Sequence, residues 1–291
     1  MTKDGDLYAS GANEHGQLGL LNNSLEKQFN KLDYFGKKVK HVACGWAHTL
    51  VLTKDGEVFV CGDNKNGGLG LSKEISKSNK LVKLESISEK VIQVACGLWS
   101  SFALLDSGKV FFWGRFRSLK REIVYTPIIL ENMQNVIKIS VQHNHIVTLS
   151  SDGIVSGYGC NKYGQIAVEG YEPYQIHNVF AGWNHSVLWT NSNELVLIGK
   201  NDHNQLAHPD KSCHKNILTF ENEDIVDVAV GSDHAMVLTS KRLLVWGWNE
   251  HGILGQNHTN QIYGPPQELN FDLNIIRKVI CGTASCFIIT Q

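Results

Sequence analysis

No apolar run in this 291-residue sequence approaches the length needed to cross a bilayer. Strand-like sequence begins almost at the first residue, which leaves no basic region and apolar core for a signal peptide. Neither sign of charge is in excess: 27 basic against 28 acidic residues leave a formal net charge of −1. Such a balance supplies no overall field toward nucleic acid or an anionic membrane. An intracellular protein is expected, and the glycosylation-type triplets at Asn22, Asn184 and Asn257 are then chance matches. No Cys-x-x-Cys pair occurs among the seven cysteines, and there is no Gly-rich phosphate loop, His-Glu-x-x-His motif or nucleophile elbow. Pro- or Ser-rich linkers and sustained helical periods are also absent. These gaps predict no catalytic residues, no cofactor, no bound metal and one domain over residues 1–291.

What is present is repetition. The nonapeptides GANEHGQLG (Gly11 to Gly19) and GWNEHGILG (Gly247 to Gly255) stand near opposite ends of the chain. Their opening glycine recurs at Gly62, Gly114, Gly159 and Gly199, at intervals of 40 to 52 residues. A second anchor is interleaved: VACGWAH, VACGLWS, ISVQHNH, VFAGWNH, VAVGSDH and VICGTAS. Six copies of a two-part unit result.

Between the anchors lie two apolar runs joined by a turn signal, as in HTLVLTKDGEVFVCG. Asp55-Gly56 recurs as Ser107-Gly108, Asp152-Gly153 and Ser192-Asn193, and the tight turns these imply need positive φ. Short strands rich in Val, Leu, Ile, Phe and Trp at regular spacing read as all-β. Units of this length, each making one small sheet, indicate a β-propeller. The first residues supply the second half of a unit and the last residues the first half. We therefore expect a single closed β-propeller of six blades, its ring completed by pairing the N- and C-terminal half-units, which removes exposed edges.

Cys44, Cys96 and Cys281 share one repeat position and read as small buried residues beside a blade glycine. His48, His145, His185 and His234 share another, occupied by Ser100 and Ser285 in the other two copies. Equivalent positions on successive blades are too far apart to hold one ion at about 2 Å. A hydrogen bond from each imidazole to a nearby backbone group is the expectation. Trp113 and Trp246 lie inside apolar strands and should be core. Trp46, Trp99, Trp183 and Trp248 lie in or beside loops, and Trp is a residue type that carries interface energy. With Glu250 and His251, which follow Trp248 in a turn, they are the candidate partner-binding residues.

CGWAHTLVLTKDGEVFVCGDNKNGGLG (Cys44 to Gly70) resembles a repeat of the regulator of chromosome condensation family, whose members are usually seven-bladed propellers. That family's founding member is an exchange factor for the GTPase Ran, binds chromatin and uses an inserted hairpin wedge. Here only GRFRSLKREIVYTP (Gly114 to Pro127) is irregular and basic, and it looks like a degenerate blade loop. VWGWNEHG (Val245 to Gly252) and LWTNSNELVLIGK (Leu188 to Lys200) are more narrowly similar to the fungal alpha-tubulin-suppressor, killer-toxin-insensitivity proteins. Six repeats stand here where that pattern has seven. The narrower resemblance implies a non-enzymatic adaptor in cytoplasm and nucleus. Its partner would be a small zinc-ribbon electron carrier of diphthamide synthesis, bound as a heterodimer. Through that carrier it would serve Elongator-dependent modification of the tRNA wobble uridine. The alternatives are an exchange factor or other regulator of a small GTPase, and a general scaffold. Direct nucleic-acid or membrane binding is not expected.

Overall fold

The computed structural model describes residues 1–116, 122–168 and 176–291. Residues 117–121 of the irregular basic segment lie outside it. The protein is an all-β propeller built from antiparallel sheets of short strands. Proximity of residues groups the chain into two compact units, residues 1–139 with 150–152, and residues 140–149 with 153–291.

In the first unit, β1 (Tyr8–Gly11) pairs with β2 (Glu26–Lys31) as a two-stranded sheet. Two four-stranded sheets follow, each ordered as in sequence. One contains β3 (Val39–Cys44), β4 (His48–Thr53), β5 (Val58–Asp63) and β6 (Lys77–Lys83). The other contains β7 (Val91–Cys96), β8 (Ser100–Leu105), β9 (Val110–Arg115) and β10 (Ile123–Ile129). The residues of the next sheet are shared between the units: β11 (Val136–Gln142), β12 (His145–Ser150) and β13 (Val155–Gly159).

The second unit has two further four-stranded sheets. They are β14 (Ile176–Ala181), β15 (His185–Thr190), β16 (Glu194–Gly199), β17 (Lys215–Thr219), and then β18 (Ile225–Val230), β19 (His234–Thr239), β20 (Leu243–Gly247), β21 (Gln267–Leu269). A final pair is formed by β22 (Ile276–Cys281) and β23 (Cys286–Thr290). Five internal sheets and two half-sheets account for the six units read from the sequence. The half-sheets pair internally, β1 with β2 and β22 with β23. Their expected joining edge to edge rests on sequence complementarity, and no pairing among the described strands represents it.

The hairpin turns form where the sequence places them. Gly56 and Gly108 take φ of 87° and 79°, and Asn193 takes 66°, the conformations a tight turn demands. The second strand of each internal sheet (β4, β8, β12, β15, β19) is almost wholly buried, and apolar side chains from its neighbours pack on it. Leu50, Val60, Leu69, Leu105 and Trp113 share one core cluster. Val187, Leu197, Leu206, Val237 and Trp246 share another. Trp113 and Trp246 are core, as expected, and each indole donates to a backbone carbonyl: to Gly68 at 2.9 Å and to Gln205 at 3.0 Å.

The nonapeptide is explained by its asparagine. Asn13, Asn64, Asn201 and Asn249 are buried, although each sits in a loop. The Asn64 amide donates to the carbonyls of Ser72 (3.2 Å) and Ile75 (2.7 Å), and its carbonyl accepts from Leu69 N–H (3.0 Å). Asn201 repeats this with His208, Asp210 and Leu206, and Asn249 with His258, Asn260 and Leu254. One side chain thus satisfies several backbone groups that a buried loop would otherwise leave unpaired.

The histidines reach into the neighbouring sheet. His48 Nε2 lies 3.0 Å from Ser101 Oγ in the next sheet, and Ser101 in turn donates to the Gly68 carbonyl at 2.7 Å. His145, Ser186 and the Gln165 carbonyl form the same relay at 3.0 and 2.8 Å. Since the serine hydrogen is already used, the imidazole must donate from Nε2. The side-chain partner is therefore a hydroxyl of the neighbouring sheet, and the expected backbone contact stands beside it, to Ser100 for His48 and to His185 for His145. His185 has no hydrogen-bond partner at either ring nitrogen, because Ala235 holds the position of the serine, while His234 meets the thiol of Cys286 there. The anchor glycines make room for these rings: a Cβ at Gly45 would lie 2.1 Å from His48 Cε1, and one at Gly182 2.0 Å from His185 Cε1. Cysteine burial also differs from expectation. Cys96 is buried, whereas Cys44 is exposed and Cys281 half-buried, although all three end the first strand of their sheets.

Burial lowers the histidine pKa from 6.5 to about 4 for His48 and His145 and to about 3 for His185. In the unfolded chain these groups take up protons near 6.5, while the folded protein resists until about pH 4. Their stabilising effect is therefore complete above 6.5 and is lost as pH falls toward 4, on the order of 3 kcal/mol per histidine over the full window. The carboxylates held low by cations, Glu57 by Lys37 and Glu223 by Arg242, act below that range. The urea midpoint should drop between pH 7 and 5, and by less in His48→Asn. A midpoint constant over that interval would contradict the neutral buried state.

Candidate functional site

Loop segments between strands carry Trp46 and several exposed charged side chains. The Trp46 backbone N–H donates to the Leu98 carbonyl (3.0 Å), and Trp183 does the same to Ser232 (2.7 Å), so the two occupy equivalent loop positions. Their rings differ. Trp46 is 70% exposed, the most solvent-exposed tryptophan of the chain, whereas Trp183 is half-buried with His143 at 4.7 Å between ring centroids. The fixed backbone beneath Trp46 means that its exposure is not a matter of an unanchored loop.

Within the first unit, Trp46 and Trp99 line one shallow cavity of about 170 Å³ together with His15, Asp63, Lys65 and Asn66. Trp99 is half-buried, with the Arg115 guanidinium carbon 5.4 Å from its ring centroid. The loop following β5, clamped by Asn64, delivers Asp63 and Lys65. Asp63 N–H bonds the Ala47 carbonyl at 2.8 Å and its carboxylate accepts from Lys65 N–H at 3.2 Å. The result is a concavity with two indole faces and both signs of charge. It is suited to a protein surface, since aromatic anchors with charged neighbours favour desolvated contacts of that kind.

The second unit holds the other candidates. Trp248 is half-buried and meets His251 edge-on at 6.0 Å, while Glu250 and His251 are exposed in a short turn where His251 has φ of 70°. Trp248, Glu250 and His251 therefore form one patch, Trp46 and Trp99 another, and Trp183 stands with His143. Sequence reasoning did not select Asp63, Lys65 or Asn66. They occupy the variable positions of the nonapeptide, where Lys200 and Asp202 stand in another repeat. That variability against a constant frame was the available signal. In the second unit Lys200 and Asp202 are ion-paired, and Gln205 bridges Asp202 (3.0 Å) and Asp233 (2.8 Å).

The RCC1-like domain profile matches residues 1–288. The chain belongs to the RCC1-like domain family. It is 26% identical to the secretion-regulating guanine nucleotide exchange factor of Bos taurus over 343 aligned residues, covering 100% of this chain and 73% of that protein. It is 25% identical to the human regulator of chromosome condensation, covering 100% and 79%. Among solved structures, human WBSCR16 superposes with a TM-score of 0.83 at 22% identity, over 98% of this chain and 81% of that one. Prp20p of Saccharomyces cerevisiae gives 0.82 at 23%, over 98% and 78%, and its structure was described together with binding to Gsp1p and histones. These structural likenesses establish the propeller fold. No helix among the described residues of this RCC1-like chain is long and apolar enough to cross a membrane.

The two kinds of tryptophan should separate by stability. Trp113→Ala removes a fully buried ring and its bond to Gly68, and should cost about 3–5 kcal/mol. Trp46→Ala should stay within about 0.5 kcal/mol of wild type in urea unfolding. A comparable loss at Trp46 would assign that residue to packing.

Proposed function

We propose that this protein is a non-catalytic, protein-binding regulator of a small GTPase, acting as a nucleotide exchange factor through its tryptophan-bearing loops. The observation that carries the reading is the cavity holding the exposed Trp46 beside Trp99, Asp63 and Lys65, on a chain aligned over its whole length with a named exchange factor. Binding by mixed charge and aromatic surface suits a GTPase switch region, whose displacement opens the nucleotide site. Binding the nucleotide-free state about 4 kcal/mol more tightly than the loaded one would weaken nucleotide affinity on the order of a thousandfold.

A second reading, the adaptor for a small zinc-ribbon carrier in diphthamide synthesis and tRNA wobble modification, is supported by the VWGWNEHG segment. There Trp248, Glu250 and His251 present a separate aromatic and charged patch. The two readings part in one assay. Purified protein is mixed with a panel of small GTPases carrying a fluorescent guanine nucleotide, and with the zinc-ribbon protein as a separate arm. Faster nucleotide release from one GTPase, reduced roughly thirtyfold in affinity by Trp46→Ala, supports the exchange factor. A stable complex with the zinc-ribbon protein, sensitive to Trp248→Ala and without effect on any GTPase, replaces it with the adaptor.

A further inference from the structure

Cys281 and Cys286 face one another across the β22–β23 pair, with their sulfurs 3.7 Å apart. The imidazole of His234, at the start of β19, completes a group whose three ligand atoms all lie within 4.8 Å of one another. His234 is fully buried, and its ring meets the Cys286 thiol with no oxygen or nitrogen partner. Cys281 also makes a weak 3.5 Å contact to the Ala229 carbonyl and meets the Met236 backbone. A buried imidazole whose polar neighbours are two free thiols, weak hydrogen-bonding groups, is a costly arrangement unless something stronger occupies it.

The repeat shows how the arrangement arose. In two other units the histidine meets a serine hydroxyl of the next sheet, Ser101 or Ser186. Here the serine position is Cys286, and the cross-strand position, filled by Cys96 opposite Ser101, is Cys281. A structural histidine–serine contact has become a His-Cys-Cys set.

We infer that His234, Cys281 and Cys286 form a site for a borderline-soft divalent cation of the zinc class, tying β19 to the β22–β23 pair. Two thiolates each about 2.3 Å from a tetrahedral zinc sit roughly 3.8 Å apart, which matches the separation found. Imidazole nitrogen with two sulfurs is the donor set that zinc selects over magnesium or calcium. Binding releases the two thiol protons, and two thiolates with Zn²⁺ make a neutral group, acceptable where His234 is wholly buried. Cys281 and Cys286 are half-buried, so a fourth position remains within reach of water or an outside ligand.

The test uses the reduced full-length chain, stripped by chelator and titrated with Zn²⁺ against a chromophoric competitor, and with Co²⁺ alone as a spectroscopic probe. The proposal expects one equivalent bound, thiolate-to-cobalt charge-transfer absorption, and a melting temperature raised by Zn²⁺. Cys286→Ser restores the hydroxyl found in Ser101 and Ser186, so it should fold as well as wild type while binding Zn²⁺ at least about 100-fold more weakly, beyond what loss of an outer-shell partner costs. Cys281→Ser should lose binding to a similar degree. Equal affinity in Cys286→Ser, no uptake by the reduced wild type, or a Cys281–Cys286 disulfide in protein isolated from cells would overturn it.

Discussion

A buried asparagine side chain in four of the loops is the interaction on which the rest depends. A propeller sheet presents its ligand-facing residues on loops, and loops carry backbone groups that no strand pairs. In Asn13, Asn64, Asn201 and Asn249 the fold solves this with a single amide that donates to carbonyls on one limb of the loop and accepts from an N–H on the other. The loop is thereby pinned on both limbs. Its outer residues become free to vary, and they do: Asp63 and Lys65 in one copy correspond to Lys200 and Asp202 in another.

The clamped loop also passes its position to the next sheet. Its residue at the position of Gly68 offers a carbonyl that accepts from Ser101 and from Trp113, and Gln17 receives Thr49 in the same manner at 2.8 Å. Thr49, Ser101, Ser186 and Trp246 each bond their sheet to the loop of the sheet before it, with a buried histidine adding a third member at Ser101 and Ser186. A conserved-looking motif therefore describes a structural joint, and the chemistry of recognition lies in the positions between its fixed letters. The Trp46–Trp99 cavity is built in this way. The His234–Cys281–Cys286 group is the same joint with sulfur in place of oxygen.

Much of this was legible in the letters. The period, the Asp-Gly turns and the alternating apolar runs point to the propeller directly, because each reports a local backbone requirement. The core assignment of Trp113 and Trp246 followed from their place inside apolar strands. The partners of the histidines were not legible, since His48 and Ser101 are 53 residues apart and meet only through the packing of successive sheets. For the same reason Cys281 read as one of three equivalent small residues. Its pairing with Cys286 and His234 depends on register and on a neighbouring sheet. Exposure was equally hidden: Trp46 and Trp183 stand at the same repeat position, and only the presence of His143 beside one of them separates an open indole from a half-covered one.

The surface that binds a partner, on this account, is only as ordered as the loops beneath it. Asn64 supports the loop bearing Asp63, Lys65 and Asn66, so it underlies one wall of the Trp46–Trp99 cavity. The most direct measurement is the urea unfolding free energy of Asn64→Ala, with amide exchange followed at Leu69. Losing one side chain that satisfies three backbone groups should cost roughly 2–4 kcal/mol, and the Leu69 amide should exchange faster. Stability within about 0.5 kcal/mol of wild type, with Leu69 still protected, would contradict the asparagine's central place.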